Sequence, residues 1–410
     1  MTSMTKHTLV DCFSLRARIG WQGLRSDEFK TEGPYLVTGV DFNNGRIDWD
    51  DCYHVTEERY AQDKGIQLHE HDLLITKDGT IGKTAVVVDC PEKATLNSGV
   101  FVVRAINNEV VPEFLHYVLH SHWFDLFVRN VLTGSTIKHL NQEKFYKFSF
   151  EAPDVPTQKK IVEVLESIDA VIDKTREVIR KYTNIKSGMM FDLLKDHGEE
   201  TFIRLDTYAN FFNGDRSKNY PSAADIVSEG CAFINAGHLQ DGKVNYELCD
   251  YITPEKYKSL HGAKIEQGDI LYCLRGTLGK NAFIEEKVVD GTVASSLVVI
   301  RPHDINNKFL FYMLNSYIEE KQRRAADNGT AQPNLSALSV AAFKILAPSS
   351  PEQEHIVEVL ETIDNSIEQE KDLLKKYSLL KQGLTQDLLS GNVDAGKLKY
   401  GGGVYGRKTI

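Results

Sequence analysis

"QKKIVEVLESID", Gln158 to Asp169, comes back 195 residues later as "QEHIVEVLETID", Gln353 to Asp364. A repeat this close organises everything around it. Upstream at the same offset, "EFLHYVLHS" (Glu113 to Ser121) matches "KFLFYMLNS" (Lys308 to Ser316), Gly134 matches Gly329, Leu140 matches Leu335 and Phe148 matches Phe343. Farther upstream the offset becomes 197, pairing Gly45 with Gly242, Cys52 with Cys249, Tyr60 with Tyr257, Asp72 with Asp269, and "SGVFVVR" (Ser98 to Arg104) with "SSLVVIR" (Ser295 to Arg301). Downstream, "DLL" recurs at Asp192 to Leu194 and Asp387 to Leu389. The chain is two copies of one unit, each a globular part followed by a helical part.

In the helical parts the apolar spacing alternates between four and three. Ile161, Leu165, Ile168, Ile172, Thr175, Ile179, Tyr182, Lys186 and Met189 form one stripe, and Ile356, Leu360, Ile363, Ile367, Glu370, Leu374, Tyr377, Lys381 and Leu384 form its equivalent. That is a coiled-coil seam of about four heptads, on a helix roughly 50 Å long at about 1.5 Å per residue. Pro156 and Pro351 open the helices, and Gly391 is placed to end the second. Two matching seams give each other a partner, and the polar seam positions Thr175, Lys186, Glu370 and Lys381 are expected to fix register.

The globular parts read as mixed α/β. Short β-branched runs such as "DLLITKDG", "KTAVVVDC", "DILYCLRG" and "SLVVIRP" are bounded by Gly, Asp and Pro, as strands are. "VPEFLHYVLHSHWFDLFV" carries apolar residues at helical spacing. The expected division is a first domain at 1–155, a helix at 156–197, a second domain at 198–350, a helix at 351–390 and a flexible tail at 391–410. A chain of 410 residues holds two ordinary cores. No apolar run reaches bilayer length and the start lacks a secretory apolar core, so the cytoplasm is the expected location. The six cysteines have no CxxC spacing, which argues against zinc and disulfide frameworks.

"TKDGTIGKT" (Thr76 to Thr84) resembles a short phosphate loop, the feature a nucleotide-binding enzyme would use at Gly79 to Thr84. Its glycines, Gly79 and Gly82, are three apart where a Walker loop needs five. The second copy, "CLRGTLGKN" (Cys273 to Asn281), keeps Gly276 and Gly279 but has Asn281 in place of the hydroxyl. A motif that keeps its glycines and loses its chemistry is a strand-to-strand turn. "LHEHD" (Leu68 to Asp72) sets His69 and His71 on one face of an expected strand, and the second copy offers Glu266, Gln267 and Gly268 there, so no metal is expected. No Pro-Pro pair exists among the eleven prolines, and HExxH and GxSxG are absent. The chain carries no recognisable catalytic apparatus or cofactor site. A coiled-coil scaffold without a nucleic-acid role is the remaining alternative.

The order of these features resembles the specificity subunit of type I restriction-modification systems. The resemblance rests on both "P-x-Q-x-x-I-V-E-V-L-E-x-I-D" helices, the "GDIL…RGTLGK" turn (Gly268 to Lys280), and "NGTAQPNLS" (Asn328 to Ser336), whose first-copy counterpart is "TGSTIKHLN" (Thr133 to Asn141). It implies two target recognition domains, each reading half of a split site in double-stranded DNA. It also implies an antiparallel helix pair that spaces the domains and docks two methyltransferase (modification) subunits and, through them, restriction/translocase subunits. Half-sites about one turn apart, roughly 34 Å, would present one side of the duplex to both readers. Candidate DNA contacts are Arg16, Arg18, Lys77, Thr80, Lys83, Ser135 and Lys138 in the first domain. In the second they are Arg216, Lys218, Arg275, Thr277, Lys280, Arg323, Arg324, Thr330, Gln332 and Asn334. Lys83 and Lys280 are expected at phosphates, and Arg275 at a phosphate or a base edge.

Charge pulls the other way. The net charge is −10, with −6 in the first domain, +1 in its helix, −3 in the second domain, −5 in its helix and +3 in the tail. DNA-binding domains are usually basic on one face. Much of the nonspecific affinity is therefore expected from the partner subunits, with selectivity from this chain.

Overall fold

The structure is a computed structural model and describes residues 3–19, 23–132, 139–195, 202–216, 219–286, 289–327 and 334–397. The chain folds as two compact units. One is built on residues up to Thr175 together with those from Leu373 onward, the other on Arg176–Asp372. Each long helix, Val155–Leu193 and Ser350–Leu389, starts in one unit and ends in the other.

Unit 1 centres on a four-stranded antiparallel sheet in the order Phe13–Arg16, Val100–Ala105, Leu73–Thr76, Thr84–Val86. Unit 2 repeats it as Ala209–Asn213, Leu297–Pro302, Ile270–Cys273, Asn281–Phe283. The register repeats as well: Val100 faces Thr76 in one, Leu297 faces Cys273 in the other. Side chains alternate between the two faces of a strand, and here both faces are buried. Leu73 and Ile75 join Phe114, Leu115 and Phe145 on the helical side, while Leu74 joins Val37 and Leu96 on the other. In unit 2, Ile270 and Tyr272 face Phe309 and Leu310, and Leu271 and Cys273 face Ile234 and Val293. Burial on both sides is why "DLLIT" and "DILYC" read as unbroken apolar runs.

The second layer in each unit is a smaller mixed sheet. Lys30–Val37 runs parallel to Ala94–Leu96, and Cys231–Ile234 parallel to Gly291–Val293. A bidentate ion pair ties sheet to turn in both units. Arg104 Nε donates to Asp72 Oδ1 (2.7 Å) and Arg301 Nε to Asp269 Oδ1 (2.8 Å), with the carboxylates buried. Asp72 Oδ2, which takes the second arm of Arg104, also accepts from the His69 amide (2.9 Å), so residues 69–71 form a turn with His71 at φ 67°. The strand expected for "LHEHD" is absent because Asp72 draws the chain into that turn.

Each long helix is fastened to its domain by the glutamine of its opening motif. Gln158 is fully buried; its Oε1 accepts from the Val111 amide (2.9 Å) and its Nε2 donates to the Glu109 and Pro153 carbonyls (2.8 Å each). Gln353 accepts from the Asn306 amide (2.9 Å) and donates to the Pro348 carbonyl (2.8 Å). One turn on, the seam enters the core. Ile161 and Leu165 share the unit 1 core with Leu388 and Leu389 from the end of the second long helix. Ile356 and Leu360 share the unit 2 core with Leu194, against which Met189, Met190 and Leu193 pack. The helices pair antiparallel within each unit, and these seam residues complete the domain core at the same time. Ile172, Thr175 and Ile367 are also buried, whereas Ile168, Ile179, Tyr182, Ile363, Leu374 and Tyr377 are half-buried.

Beyond the second long helix the chain does not leave the domain at once. Gly391 takes φ 70°, the Val393 amide bonds the Asp387 carbonyl (3.2 Å), and Ala395 is fully buried in the unit 1 core. The tail expected from 391 is anchored at least that far by two apolar side chains. All six cysteines are free thiols. Burial pushes the equivalent Cys52 and Cys249 up to about 12 and about 11, so both stay protonated at neutral pH.

Leu360 is fully buried and Leu379 is 60% exposed. Leu360→Ala should lower the unfolding free energy by about 2–5 kcal/mol in urea titration, while Leu379→Ala stays within about 0.5 kcal/mol of the parent. Equal, small effects would show that the seam is not core.

Candidate nucleic-acid interface

The turn at Thr76 to Thr84 is a hairpin between the central strand Leu73–Thr76 and the edge strand Thr84–Val86, and several of its polar groups face inward. The Gly82 amide bonds the Thr76 carbonyl (3.0 Å), the Thr76 amide bonds the Lys83 carbonyl (2.9 Å), and the Lys83 amide bonds Thr76 Oγ1 (3.0 Å). The second copy repeats the backbone pattern, with Gly279 N on the Cys273 carbonyl (3.1 Å) and Cys273 N on the Lys280 carbonyl (2.8 Å). Gly82 and Gly279 sit at φ 87° and 78°, which disfavours any side chain. A Cβ on Gly279 would also lie 2.3 Å from Arg323 Nε. The residue in the place of a Walker hydroxyl, Thr84, is 1% exposed with its Oγ1 2.9 Å from His116 Nδ1. The Gly82 and Lys83 amides and the Thr84 hydroxyl are thus engaged within the domain.

A second segment returns beside each hairpin. The Leu140 amide bonds the Lys77 carbonyl (2.9 Å), and the Leu335 amide bonds the Leu274 carbonyl (2.8 Å). In unit 2 this brings two sequence-level candidates together: Arg275 and Asn334 form a β-bridge, and Arg275 Nε donates to Asn334 Oδ1 (3.1 Å). Arg275 is exposed, and among the described residues both its Nη groups are without a partner. In unit 1 the equivalent positions are Asp78 and His139, which are in direct hydrogen-bonded contact. Neither was singled out by composition. The repeat alignment carries the signal, since Asp78 stands 197 before Arg275 and His139 stands 195 before Asn334.

The other candidates separate by environment. Arg16 and Arg216 are exposed and, among the described residues, carry no ion pair; Thr80 and Thr277 are exposed on the hairpin tips. Lys77 is 14% exposed at its side chain, lies 5.7 Å from the Phe101 ring centre and pairs with Asp78 at 3.1 Å. Lys83 and Lys280 do not project freely. Their Nζ atoms donate to the Gly39 and Ala236 carbonyls (3.3 and 2.9 Å), equivalent positions in the two copies. They tie the hairpin to the neighbouring layer through one donor each, and an ammonium has two further N–H donors. Ser135, Lys138, Lys218, Thr330 and Gln332 lie outside the described residues.

One further candidate is buried and another is half-buried against a buried carboxylate. Arg18 is 2% exposed, with Nε on the Leu96 carbonyl (2.9 Å) and Nη2 on Thr95 Oγ1 (3.3 Å); burial lowers its pKa. Arg323 Nε bonds Glu319 (3.0 Å), a buried carboxylate that also accepts the Tyr272 hydroxyl and whose pKa burial raises. A cation is needed there because a buried carboxylate without a partner is costly. Arg324 is 76% exposed and pairs with Glu320 one turn back. Apart from the hairpins, His7, Cys12 and Glu109 of unit 1 bring their ligand-type atoms within 4.8 Å of one another, with the Cys12 thiol 3.5 Å from His7 Nδ1. Burial pushes that thiol up.

Comparison with known proteins gives one consistent result. A family profile described as type I restriction modification DNA specificity domain matches residues 22–181 and again 208–376. The chain is 23% identical over 359 residues to the type I restriction enzyme MjaVIII specificity subunit of Methanocaldococcus jannaschii, covering 82% of each chain. It is 22% identical over 367 residues to the EcoBI specificity subunit of Escherichia coli, covering 81% of this chain and 76% of that one. The crystal structure of a type I restriction-modification S subunit from M. genitalium shares the fold, with a TM-score of 0.57 over 95% of this chain and 96% of that one at 17% identity. Among the described residues no helix is long and apolar enough to cross a membrane.

The two neighbouring arginines should behave differently in thermal and urea unfolding. Arg323→Ala strands Glu319 and should cost about 1–3 kcal/mol, whereas Arg324→Ala should cost less than about 0.5 kcal/mol. Similar costs for both would mean Arg323 is not the partner that keeps Glu319 buried.

Proposed function

This chain belongs to the type I restriction modification DNA specificity family, and on that premise we propose that each of its two units reads one half of an asymmetric two-part DNA site. The long helices space the readers and dock two methyltransferase subunits, through which restriction/translocase subunits join. The chain itself performs no catalysis and works in the cytoplasm. The observation that carries this reading is the pair of hairpins. Backbone register, glycines and bracing lysine are the same in both, and the side-chain pair at the tip differs, Asp78 with His139 against Arg275 with Asn334. A constant scaffold with a variable tip suits two readers of different sequences. Arg275, with Asn334 fixing its Nε, has two Nη groups without a partner among the described residues to offer a guanine edge. For docking, the long helices leave Val171, Ile185, Leu379 and Leu380 between 42% and 60% exposed, an unusual amount of apolar surface for two helices already paired.

The test is reconstitution with two modification subunits followed by long-read methylation mapping, alongside binding of the isolated chain. The complex should methylate a two-part asymmetric motif, while the acidic chain alone binds DNA weakly. Arg275→Ala should relax one position of one half-site, with discrimination falling roughly 5- to 150-fold. A motif unchanged at every position would remove Arg275 from the readers, and tight sequence-selective binding by the chain alone would overturn the division of labour.

A further inference from the structure

The two hairpin tips are opposite in sign. At the position where unit 2 presents the Arg275 guanidinium, unit 1 presents the Asp78 carboxylate. The backbone around them is the same. Lys77 and Leu274, the residues just before, take equivalent bonds from the returning segment, and their own amides bond the equivalent Gly99 and Ser296 carbonyls (2.9 and 2.8 Å). The Asp78 side chain is 45% exposed, with Oδ1 held by His139 Nδ1 and Oδ2 held 3.1 Å from Lys77 Nζ. Among the described residues, each carboxylate oxygen has a second lone-pair direction left.

A carboxylate only accepts hydrogen bonds, and so do DNA phosphates, so Asp78 has no use on the DNA backbone. Duplex DNA offers it donors on base edges alone, and in the major groove these are the N4 amino group of cytosine and the N6 amino group of adenine. The local cation removes the usual objection to a negative group near phosphates. Lys77 is largely covered by Phe101 and fixed beside the carboxylate, so the tip carries its own counter-charge. His139, held through the Leu140 amide, sets the direction in which the carboxylate points.

We infer that Asp78 is a specificity-determining residue of unit 1 that accepts a hydrogen bond from the exocyclic amino group of a cytosine or an adenine, with His139 as its positioning residue. This rests on the proposal that each unit reads a half-site. In that arrangement unit 1 selects an amino-bearing base at the register where unit 2, through Arg275, selects a guanine.

The experiment uses the full chain assembled with its modification subunits and long-read methylation mapping of parent, Asp78→Ala, Asp78→Asn and His139→Ala complexes. The parent motif must have two halves; if it does not, the half-site reading itself fails, independently of Asp78. Given a two-part parent motif, Asp78→Ala should turn one cytosine or adenine position of one half-site degenerate, with discrimination there falling roughly 5- to 150-fold and the other half unchanged. Asp78→Asn keeps the shape and the tie to His139 while adding a donor, so it decides the matter should the alanine variant fail to assemble; the same position should broaden. His139→Ala should relax that position partly. A motif unaltered in Asp78→Asn, or methylation lowered by one factor at every site, overturns the inference and leaves the pair as a staple between the hairpin and the returning segment. A purely structural staple would move the melting temperature and leave the motif alone.

Discussion

Register in the helix pair depends on one polar contact made twice. Lys186 pairs with Asp364 at 2.5 Å and Lys381 pairs with Asp169, positions equivalent under the repeat. Each aspartate also accepts a domain hydroxyl, Tyr312 at 2.8 Å and Tyr117 at 2.9 Å, and each lysine lies over that tyrosine ring at 5.4 and 5.7 Å. Burial and the neighbouring aspartate raise both phenols, so they remain donors. Domain, its own helix and the other helix thus meet at a single half-buried carboxylate. Such contacts add little net stability, because desolvation offsets attraction. Their effect is selective: sliding the helices by one turn would keep apolar contacts but leave a lysine and an aspartate unmatched in a half-buried seam.

With register fixed, apolar burial supplies the stability. The opening turns of one long helix and the closing turns of the other enter the same core in each unit. A domain can therefore complete its core only when both helices are present, which makes the helix pair part of each reader's fold. The hairpin tip then inherits a rigid base. One strand of each hairpin is central in the sheet, the other is its buried edge strand, so the tip residues can differ between copies without disturbing what holds them. This separates the two demands on a sequence reader: the framework stays constant and the reading group varies.

The duplication, the mixed fold and the seams were legible in the sequence because each depends on spacing, which a chain displays directly. Gln158, Gln353 and the strand runs were visible for the same reason. Environment was not. Arg18 and Arg323 look like Arg16 and Arg324 on paper, and only the fold shows that Arg18 is buried and Arg323 engaged by a buried carboxylate, because Thr95 and Leu96 lie more than seventy residues from Arg18 and Glu319 is buried by its contact with Tyr272. Lys83 and Lys280 kept their repeat positions yet turned out to brace equivalent carbonyls, a contact 44 residues apart in both copies. Asp78 is not marked by charge, because contacts to the DNA backbone are made by cations. The alignment of opposite charges at one repeat position was the available clue, and its meaning appeared only when His139 and Asn334 were found beside the two tips.

The acidic balance then becomes intelligible from the same geometry. Each phosphate contact adds a counterion-release term that favours every sequence alike, so a reader rich in free cations gains affinity at the expense of contrast. Here many cations are already engaged: Arg104 and Arg301 hold buried carboxylates, Lys83 and Lys280 hold carbonyls, and Lys186 and Lys381 hold the seam. With those cations held by the fold, discrimination in the proposed reading falls to short directional contacts at the tips, whose energies of about 1–3 kcal/mol each are lost whenever the base is wrong. A chain that borrows its nonspecific attraction from partners can afford a carboxylate as a reader, a group that a self-sufficient DNA-binding domain would have to offset with further surface charge.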